Sequence, residues 1–239
     1  MNKNEIEEEK VLIFIPSYND NLSALKVAQE INNDLPKADI LIVDDGSKEE
    51  IEINKFSPFY HYRLETNYGL GVCTHIAVDF MIAHNYSYLV RVDADGQHPV
   101  KEIIRMIDKL KLKNADCVVG SRQNHNDKKN DIVKNMVKKY YNLLSKLITQ
   151  NKAPADVNSG FFAINLKSAN LIKCQILERF PEPQIYILLC NSNMKMVEIN
   201  IMQKERVTNR TTLTFFHALR MFYRFNIFLL TELIRSSRK

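Results

Sequence analysis

Residues 88–99 read YLVRVDADGQHP, a mostly apolar run that leads into two carboxylates one residue apart. Tyr88 to Val92 predicts a short buried strand, because an apolar run of this length is bounded by turn-forming residues. Gly96 permits the tight turn that follows, and Pro99 is typical of the start of the next helix. This stretch therefore predicts polar side chains at the carboxyl end of a strand in an α/β sheet.

Asp93 and Asp95 form the first candidate site. Two carboxylates with this spacing can share a divalent cation, and hard oxygen ligands suit Mg²⁺ or Mn²⁺. Such a cation would bridge two phosphates and stabilise the charge on a departing diphosphate. The alternative is a plain turn, because turns are rich in Asp and an isolated pair is a weak signal.

Outward from this stretch, strand-like and helix-like segments alternate along the chain. The predicted strands are 11–15, 40–43, 62–64, 88–92, 117–119, 161–164 and 195–202, and the predicted helices are 22–31, 71–83, 100–112, 132–148 and 185–190. This alternation predicts an α/β fold with a mostly parallel central sheet flanked by helices. Ligands of such sheets bind at the carboxyl ends of the strands.

Two further polar clusters also follow predicted strands. In Pro16–Asp20, Tyr18 can stack on a nucleotide base and Asp20 can accept a hydrogen bond from it, although a helix N-cap is the alternative. In Val43–Ser47, an aspartate can accept from a base N–H or a ribose hydroxyl, although an Asp-Gly turn is the alternative. Three such clusters at three strand ends together predict one site.

Charge is unevenly distributed along the 239 residues, whose net charge is +5. Residues 122–152 and 203–239 each hold eight Lys or Arg and two acidic residues, a balance of +6 in each stretch. This pattern favours an anionic partner, such as phosphates, a membrane surface or nucleic acid. The alternative is two solvated helix faces.

The four cysteines form no C-x-x-C pair, which argues against a zinc site and for a reduced cytoplasmic chain. The acidic N-terminus does not resemble a signal peptide. No apolar run approaches the roughly 20 residues that a membrane-spanning helix requires. We therefore expect a cytoplasmic protein.

The three clusters, in this order, resemble the motifs of the family 2 glycosyltransferases. The matching segments are IPSYND (15–20), VDDGS (43–47) and DADGQHP (93–99), joined by TNYGLG (66–71). The resemblance is to the dolichyl- and polyprenyl-phosphate mannosyltransferase type and to bacterial surface-polysaccharide enzymes, over about residues 11–215. It implies a GT-A fold and an inverting transfer of a sugar from a nucleotide-diphosphate sugar to an acceptor, in cell-surface polysaccharide or glycolipid synthesis.

The resemblance also implies a role for each matching position. By this resemblance, Pro16, Tyr18 and Asp20 line the nucleotide pocket, and Asp44 and Asp45 bind the base and ribose. The residues around the metal and diphosphate are Asp93, Ala94, Asp95 and Gln97, and Arg122 faces a phosphate. Arg206, in the segment 202–212, aligns with an arginine that reaches the diphosphate. Asp95 and Arg206 are therefore predicted to be catalytic.

Two other segments match with substitutions. The segment DVNSGF (156–161) is similar to the family's Asp-x-x-Ser-Gly-Phe, but Phe162 replaces an Arg that commonly follows. Gln184 replaces the second acid of a Pro-Glu-Pro-Glu segment, and a neutral amide cannot act as a base. Asp156 and Glu182 are left as candidate general bases for a hydroxyl acceptor, and their order stays open. A phosphate acceptor would need no base.

Residues 212–235 predict one long amphipathic, basic helix. We assign 1–212 to the GT-A domain and 213–239 to this helix. It can lie in a membrane interface, or it can pack on the domain or on a second subunit. Because the resembling enzymes commonly use lipid-linked acceptors, such as a polyprenyl phosphate, we expect a peripheral position at the inner face of the membrane.

Other functions explain less of the sequence. A sugar nucleotidyltransferase needs a Gly-rich, Arg-containing loop after the first strand, where this chain has Pro16–Asn19. Acidic clusters repel phosphates in the absence of metal, so we expect no nucleic-acid partner. A donor-binding pseudoenzyme has only Phe162 and Gln184 in its support.

Overall fold

A computed structural model describes residues 9–50, 58–122, 132–202 and 215–236. The strands are β1 (Val11–Ser17), β2 (Asp39–Asp44), β3 (Phe59–Arg63), β4 (Tyr88–Arg91), β5 (Cys117–Arg122), β6 (Phe162–Asn165) and β7 (Met196–Ile201). The helices are α1 (Asn21–Asp34), α2 (Leu70–Ala83), α3 (Val100–Lys113), α4 (Ile132–Ile148), α5 (Leu166–Lys173), α6 (Glu182–Asn191) and α7 (Phe215–Ser236).

The seven strands form one sheet in the order β3-β2-β1-β4-β6-β5-β7. All neighbours pair in parallel except β6, which is antiparallel to both β4 and β5. Ser17 lies beside Asp44 in the register of β1 and β2, and Phe14 lies beside Arg91 in that of β1 and β4. The carboxyl ends of β1, β2 and β4 therefore meet at one edge of the sheet.

Alternation along the strands divides the core into two layers. Leu12 and Phe14 of β1 point into the layer that contains α2, α5 and α6, whereas Ile13 and Ile15 point into the layer of α1 and α3. All four side chains are 0% exposed. This arrangement confirms the predicted α/β fold with a mostly parallel sheet between helices.

The differences from the predicted elements lie where the pattern is weakest. β3 begins at Phe59 rather than at the predicted Tyr62. The start was missed because the sequence of this partly exposed edge strand, FYHYR, lacks a clear alternation of apolar and polar residues. The short helix α5 was not predicted. It begins directly after β6, where the Asn165 side chain caps it by accepting from the Ser168 N–H at 3.0 Å.

Helix α7 packs with one face against α4 and α6. The ring of Phe225 lies 4.3 Å from that of Tyr141, and Asn191 donates to buried Glu232 at 3.1 Å. The predicted boundary between residues 212 and 213 falls outside the described residues. The division of the chain at that point stays a prediction.

Candidate active site

The loops after β1 and β2 are joined by a network around Asp44. This carboxylate is 0% exposed and accepts from the Ser47 N–H at 2.9 Å, from the Ser47 hydroxyl at 2.5 Å and from the Asn21 amide at 3.2 Å. Arg63 Nε lies 3.6 Å from the same group. Asp44 is thus surrounded by donors and organises the rim of the predicted nucleotide pocket.

The neighbouring Asp45 connects β2 to the start of α2. Its two carboxylate oxygens accept from the N–H groups of Tyr68 and Gly69, at 2.7 and 2.8 Å. Burial raises the pKa of Asp45, and these two hydrogen bonds offset that effect only in part. Gly69 has a φ of 99°, and its Cα packs against the Arg179 side chain, so that a Cβ would lie 2.3 Å from Arg179 Cγ. Asp45 therefore positions the predicted TNYGLG segment.

The first cluster lies beside these groups. Pro16 lies within β1, Tyr18 is 43% exposed, and Asp20 precedes α1 without a side-chain capping hydrogen bond. Asp20 thus occupies the N-cap position, as the alternative predicted, but its carboxylate makes no capping hydrogen bond. The loops of the first two clusters are also tied together, because the Asn19 N–H donates to the Ser47 hydroxyl at 2.7 Å.

A buried ion-pair network surrounds Asp93. Arg91 is 2% exposed, and its guanidinium lies 2.7 Å from Glu182 Oε1 and 3.3 Å from Asp93 Oδ1. Burial opposes the charged form of Arg91, but Glu182 and Asp93 outweigh it and raise the pKa of the guanidinium. The structure thus brings Asp93 and Glu182 to one arginine. Sequence reasoning missed Arg91, although an arginine inside an otherwise apolar strand was a visible signal.

A stacked histidine and a glycine also contact this network. The His98 ring stacks on Phe161 with centroids 4.2 Å apart, and its Nε2 lies 3.7 Å from Asp93 Oδ2. A Cβ at Gly160 would lie 2.9 Å from both Arg91 Nη2 and Asp93 Oδ1. Gly160 therefore makes room for the arginine–carboxylate pair.

The remainder of the DADGQHP motif fits a metal-diphosphate site. Asp95 accepts from the Gln97 N–H at 3.1 Å, Gly96 takes a φ of 72°, and Ala94 packs on the core. Within the described residues, no three His, Cys, Asp or Glu side chains are grouped as a metal site. Mg²⁺ and Mn²⁺ use few carboxylates when phosphates supply the other ligands, so the pair Asp93 and Asp95 fits these ions.

The other predicted positions are only partly described. Asp156 is buried in the loop before β6, where its Oδ1 accepts from the Asn158 N–H at 3.4 Å. Arg122 ends β5, and its side chain is outside the described part of the structure. Arg206 lies in 203–214, likewise outside the described residues.

Gln184 has a structural use that explains why an amide stands there. It is buried, its Nε2 donates to the Ile176 carbonyl at 2.7 Å, and its Oε1 accepts from the Glu178 N–H at 2.8 Å. An ionised acid could not make the first of these bonds. Gln184 therefore holds the segment 176–180 against α6.

That segment, together with α4, α6 and α7, encloses a cavity of about 190 Å³. We call it the aromatic cavity, and its lining includes Tyr141, Glu178, Arg179, Phe180, Glu182, Arg224, Phe225 and Phe228. Because Glu182 also contacts Arg91, the cavity adjoins the Asp93 network. No sequence pattern predicted this cavity.

Comparison with known proteins assigns the class. Residues 12–171 match the family model for glycosyl transferase family 2, and the chain belongs to that family. The crystal structure of glucosyl-3-phosphoglycerate synthase from Mycobacterium tuberculosis, in complex with Mn²⁺, UDP and phosphoglyceric acid, has a similar fold, with a TM-score of 0.67 at 13% identity over 95% of this chain and 78% of that one. The fold is thus GT-A, as the resemblance implied.

Two curated relatives are similar in sequence. Polyprenol monophosphomannose synthase of Mycolicibacterium smegmatis is 29% identical over 48% of this chain and 45% of its own length. Undecaprenyl-phosphate mannosyltransferase of Micrococcus luteus is 28% identical over 48% of this chain and 49% of its own. The matched region thus spans about half of each relative. In the described part of the chain, none of the helices has the length and apolar character to cross a membrane.

Proposed function

We propose that this glycosyltransferase moves a sugar from a nucleotide-diphosphate sugar to a lipid-linked acceptor, with inversion at the anomeric carbon, in cell-surface polysaccharide or glycolipid synthesis. The observation that carries the proposal is the meeting of three carboxylate-bearing loops at one sheet edge, after β1, β2 and β4. The names of the two curated relatives support a polyprenyl phosphate as acceptor.

The donor would lie along this edge. Pro16, Tyr18 and Asp20 would line the nucleotide pocket, and Asp44 and Asp45 would hold the base and ribose. The Asp44 and Asp45 carboxylates already organise the surrounding backbone, which supports a preformed pocket.

The diphosphate would lie beside Asp93, Ala94, Asp95 and Gln97, and Arg122 and Arg206 would reach its oxygens. A divalent cation held by Asp93 and Asp95 would supply charge stabilisation for the leaving diphosphate. The Mn²⁺ and UDP in the complex of the similarly folded glucosyl-3-phosphoglycerate synthase support this choice.

Transfer would be a single displacement, in which an acceptor oxygen attacks the anomeric carbon opposite the departing diphosphate. A hydroxyl acceptor would require a general base, for which Asp156 and Glu182 are the candidates. An ionised phosphate acceptor would attack without one.

The outer faces of α7 and α4 support contact with an anionic membrane surface. Tyr223, Ile227, Leu230 and Ile234 repeat at helical spacing on α7 and are exposed, opposite buried Phe225. On α4, Met136, Leu143 and Leu147 are likewise exposed and lie next to exposed Lys139 and Lys146. Apolar surface bordered by cations is typical of an interfacial helix.

A thermal-shift screen of nucleotide sugars with Mn²⁺ would identify the donor, because a ligand of the folded state raises the melting temperature. The selected donor, radiolabelled in its sugar, should then transfer label to a polyprenyl phosphate. If the donor binds and is hydrolysed but no acceptor is labelled, the lipid acceptor is wrong. If no nucleotide sugar binds, the function itself is wrong.

A further inference from the structure

The aromatic cavity opens directly beside the Asp93 network. Glu182 lines the cavity and also contacts Arg91, which in turn contacts Asp93, the predicted metal ligand. A ligand in this cavity would therefore present its reactive atom to the same region that the donor diphosphate occupies in the proposed function.

The walls of the cavity suit an apolar chain. Phe180 comes from the segment before α6, Phe225 and Phe228 come from α7, and Tyr141 comes from α4. Helix α7 presents exposed apolar residues on its opposite face, so the cavity lies directly behind the surface proposed to meet the membrane. A lipid chain bound in the cavity would bury apolar surface against these aromatic rings.

Two arginines and two carboxylates line the cavity, and the arginines are the groups there that can bind an anion. Two carboxylates line it, and both are paired: Glu182 with Arg91 at 2.7 Å, and Glu178 with Arg224 at 3.1 Å. Arg179 adds a second cation to the lining. Burial raises the pKa of Tyr141 to about 12, so its hydroxyl remains a hydrogen-bond donor at neutral pH. Asp156 is not among the residues that line the cavity.

We infer that the aromatic cavity is the acceptor site, that its ligand is a phosphate monoester on an apolar chain, and that Glu182 positions Arg91 instead of accepting a proton. This inference rests on the proposed function. In the transfer, an ionised phosphate oxygen of the acceptor forms a bond to the anomeric carbon. The bond from that carbon to the donor diphosphate breaks, its electron pair leaves with the nucleoside diphosphate, and no proton moves.

The geometry gives Glu182 a positioning role. Its Oε1 lies 2.7 Å from the buried guanidinium of Arg91, and the same guanidinium lies 3.3 Å from Asp93. Glu182 therefore holds Arg91 beside the predicted metal ligand.

The test uses the full chain, the donor selected by thermal shift, and three probes: farnesyl phosphate, farnesol and methyl phosphate. Farnesyl phosphate should be the substrate, because it alone has both the anion and the chain. Glu182→Gln keeps an oxygen that accepts from Arg91 but cannot act as a base. Its kcat should fall by about tenfold or less, whereas the loss of a general base costs about 10²- to 10⁴-fold.

The location of the site is tested by binding as well as by turnover. Phe228→Ala should raise the Kd of farnesyl phosphate in calorimetry about tenfold, since an aromatic wall is removed. Arg224→Gln should also weaken binding. Two control variants on α3 should leave the Kd unchanged. Arg105→Gln removes an exposed arginine that pairs with Glu102, and Leu112→Ala truncates an exposed apolar side chain.

Three results would overturn the inference. The first is a loss of more than about 10²-fold in Glu182→Gln with the affinity for farnesyl phosphate intact, which would make Glu182 a base. The second is transfer to farnesol as fast as to farnesyl phosphate. The third is an unchanged Kd in Phe228→Ala. If the wild type binds donor but transfers nothing, the proposed function fails, while the calorimetry still decides whether the cavity holds the lipid phosphate.

Discussion

At the scale of single residues, adjacent carboxylates have different surroundings and therefore different uses. Asp44 and Asp45 are buried and each accepts hydrogen bonds from the polypeptide itself, which organises two loops. The Asp93 side chain is 29% exposed at the rim of the ion-pair network around Arg91. Residue type alone did not distinguish these roles, because each carboxylate follows a strand in the sequence.

Replacing Asp95 with Ala should lower the rate of sugar transfer about 10²-fold or more, because a ligand of the proposed cation is removed. The melting temperature should stay within a few degrees of the wild type. The matched control is Asp108→Ala, an exposed aspartate on α3 whose loss should leave turnover unchanged. Near-normal turnover of Asp95→Ala in EDTA would contradict the metal role.

Asp45 should make stability depend on pH. Burial raises its pKa in the folded chain, so the native state holds this proton more tightly than the unfolded state does. The resulting stabilisation is complete below the unfolded pKa of about 3.9 and is lost as pH rises through the folded pKa. Relative to Asp45→Asn, the free energy of unfolding of the wild type should therefore fall as the pH rises.

Urea unfolding of both proteins at several pH values between about 4 and 7 measures this difference. Asp45→Asn loses one acceptor for the N–H groups of Tyr68 and Gly69, which adds an offset that does not itself titrate. A difference that stays constant or grows with pH would show that Asp45 has no raised pKa.

At the scale of elements, the side-chain amide of Gln184 holds the segment before α6. Gln184→Glu would place a carboxylate oxygen against the Ile176 carbonyl, where Nε2 now donates at 2.7 Å. We expect a loss of roughly 1–3 kcal/mol in the free energy of unfolding, since a buried acceptor is left without its donor.

The control is Gln175→Glu, the same chemical change one residue before Ile176, which should be nearly neutral. Because segment 176–180 contributes Phe180 and Arg179 to the aromatic cavity, Gln184→Glu should also weaken acceptor binding more than donor binding. Equal stability of the two variants would show that the amide does not hold this segment.

At the scale of the whole molecule, the apolar faces of α4 and α7 predict binding to anionic vesicles. In a flotation experiment at low salt, the full chain should rise with the vesicles, and chain truncated after Thr212 should not. The substitutions Ile227→Ser, Leu230→Ser and Ile234→Ser, made together, should reduce flotation without unfolding the protein, because all three side chains are exposed.

A matched control replaces exposed apolar residues elsewhere, namely Leu22, Ile104 and Leu112, with Ser. These side chains lie on α1 and α3, which pack on the opposite face of the sheet. Their replacement should not change flotation. If the full chain stays at the bottom while it transfers sugar to a soluble acceptor, the exposed face serves packing and not a membrane.

The sequence by itself determined the parts of this protein that depend on local order. Alternating apolar runs predict the sheet and its helices, because each element buries one face. The spacing of Asp93 and Asp95 after a predicted strand placed the candidate metal site, because adjacent residues at a strand end stay adjacent in any fold.

Only the tertiary structure decided the contacts between distant residues. Arg91 and Glu182 are 91 positions apart, and they meet only because the folded chain places the start of α6 beside β4. The aromatic cavity likewise requires α4, α6 and α7 to pack together. The hydrophobic periodicity of each helix does not show which side chains of the three helices will meet. Packing of elements that are far apart in sequence is a property of the folded chain, which is why the Arg91–Glu182 pair and the cavity could not be predicted from the sequence.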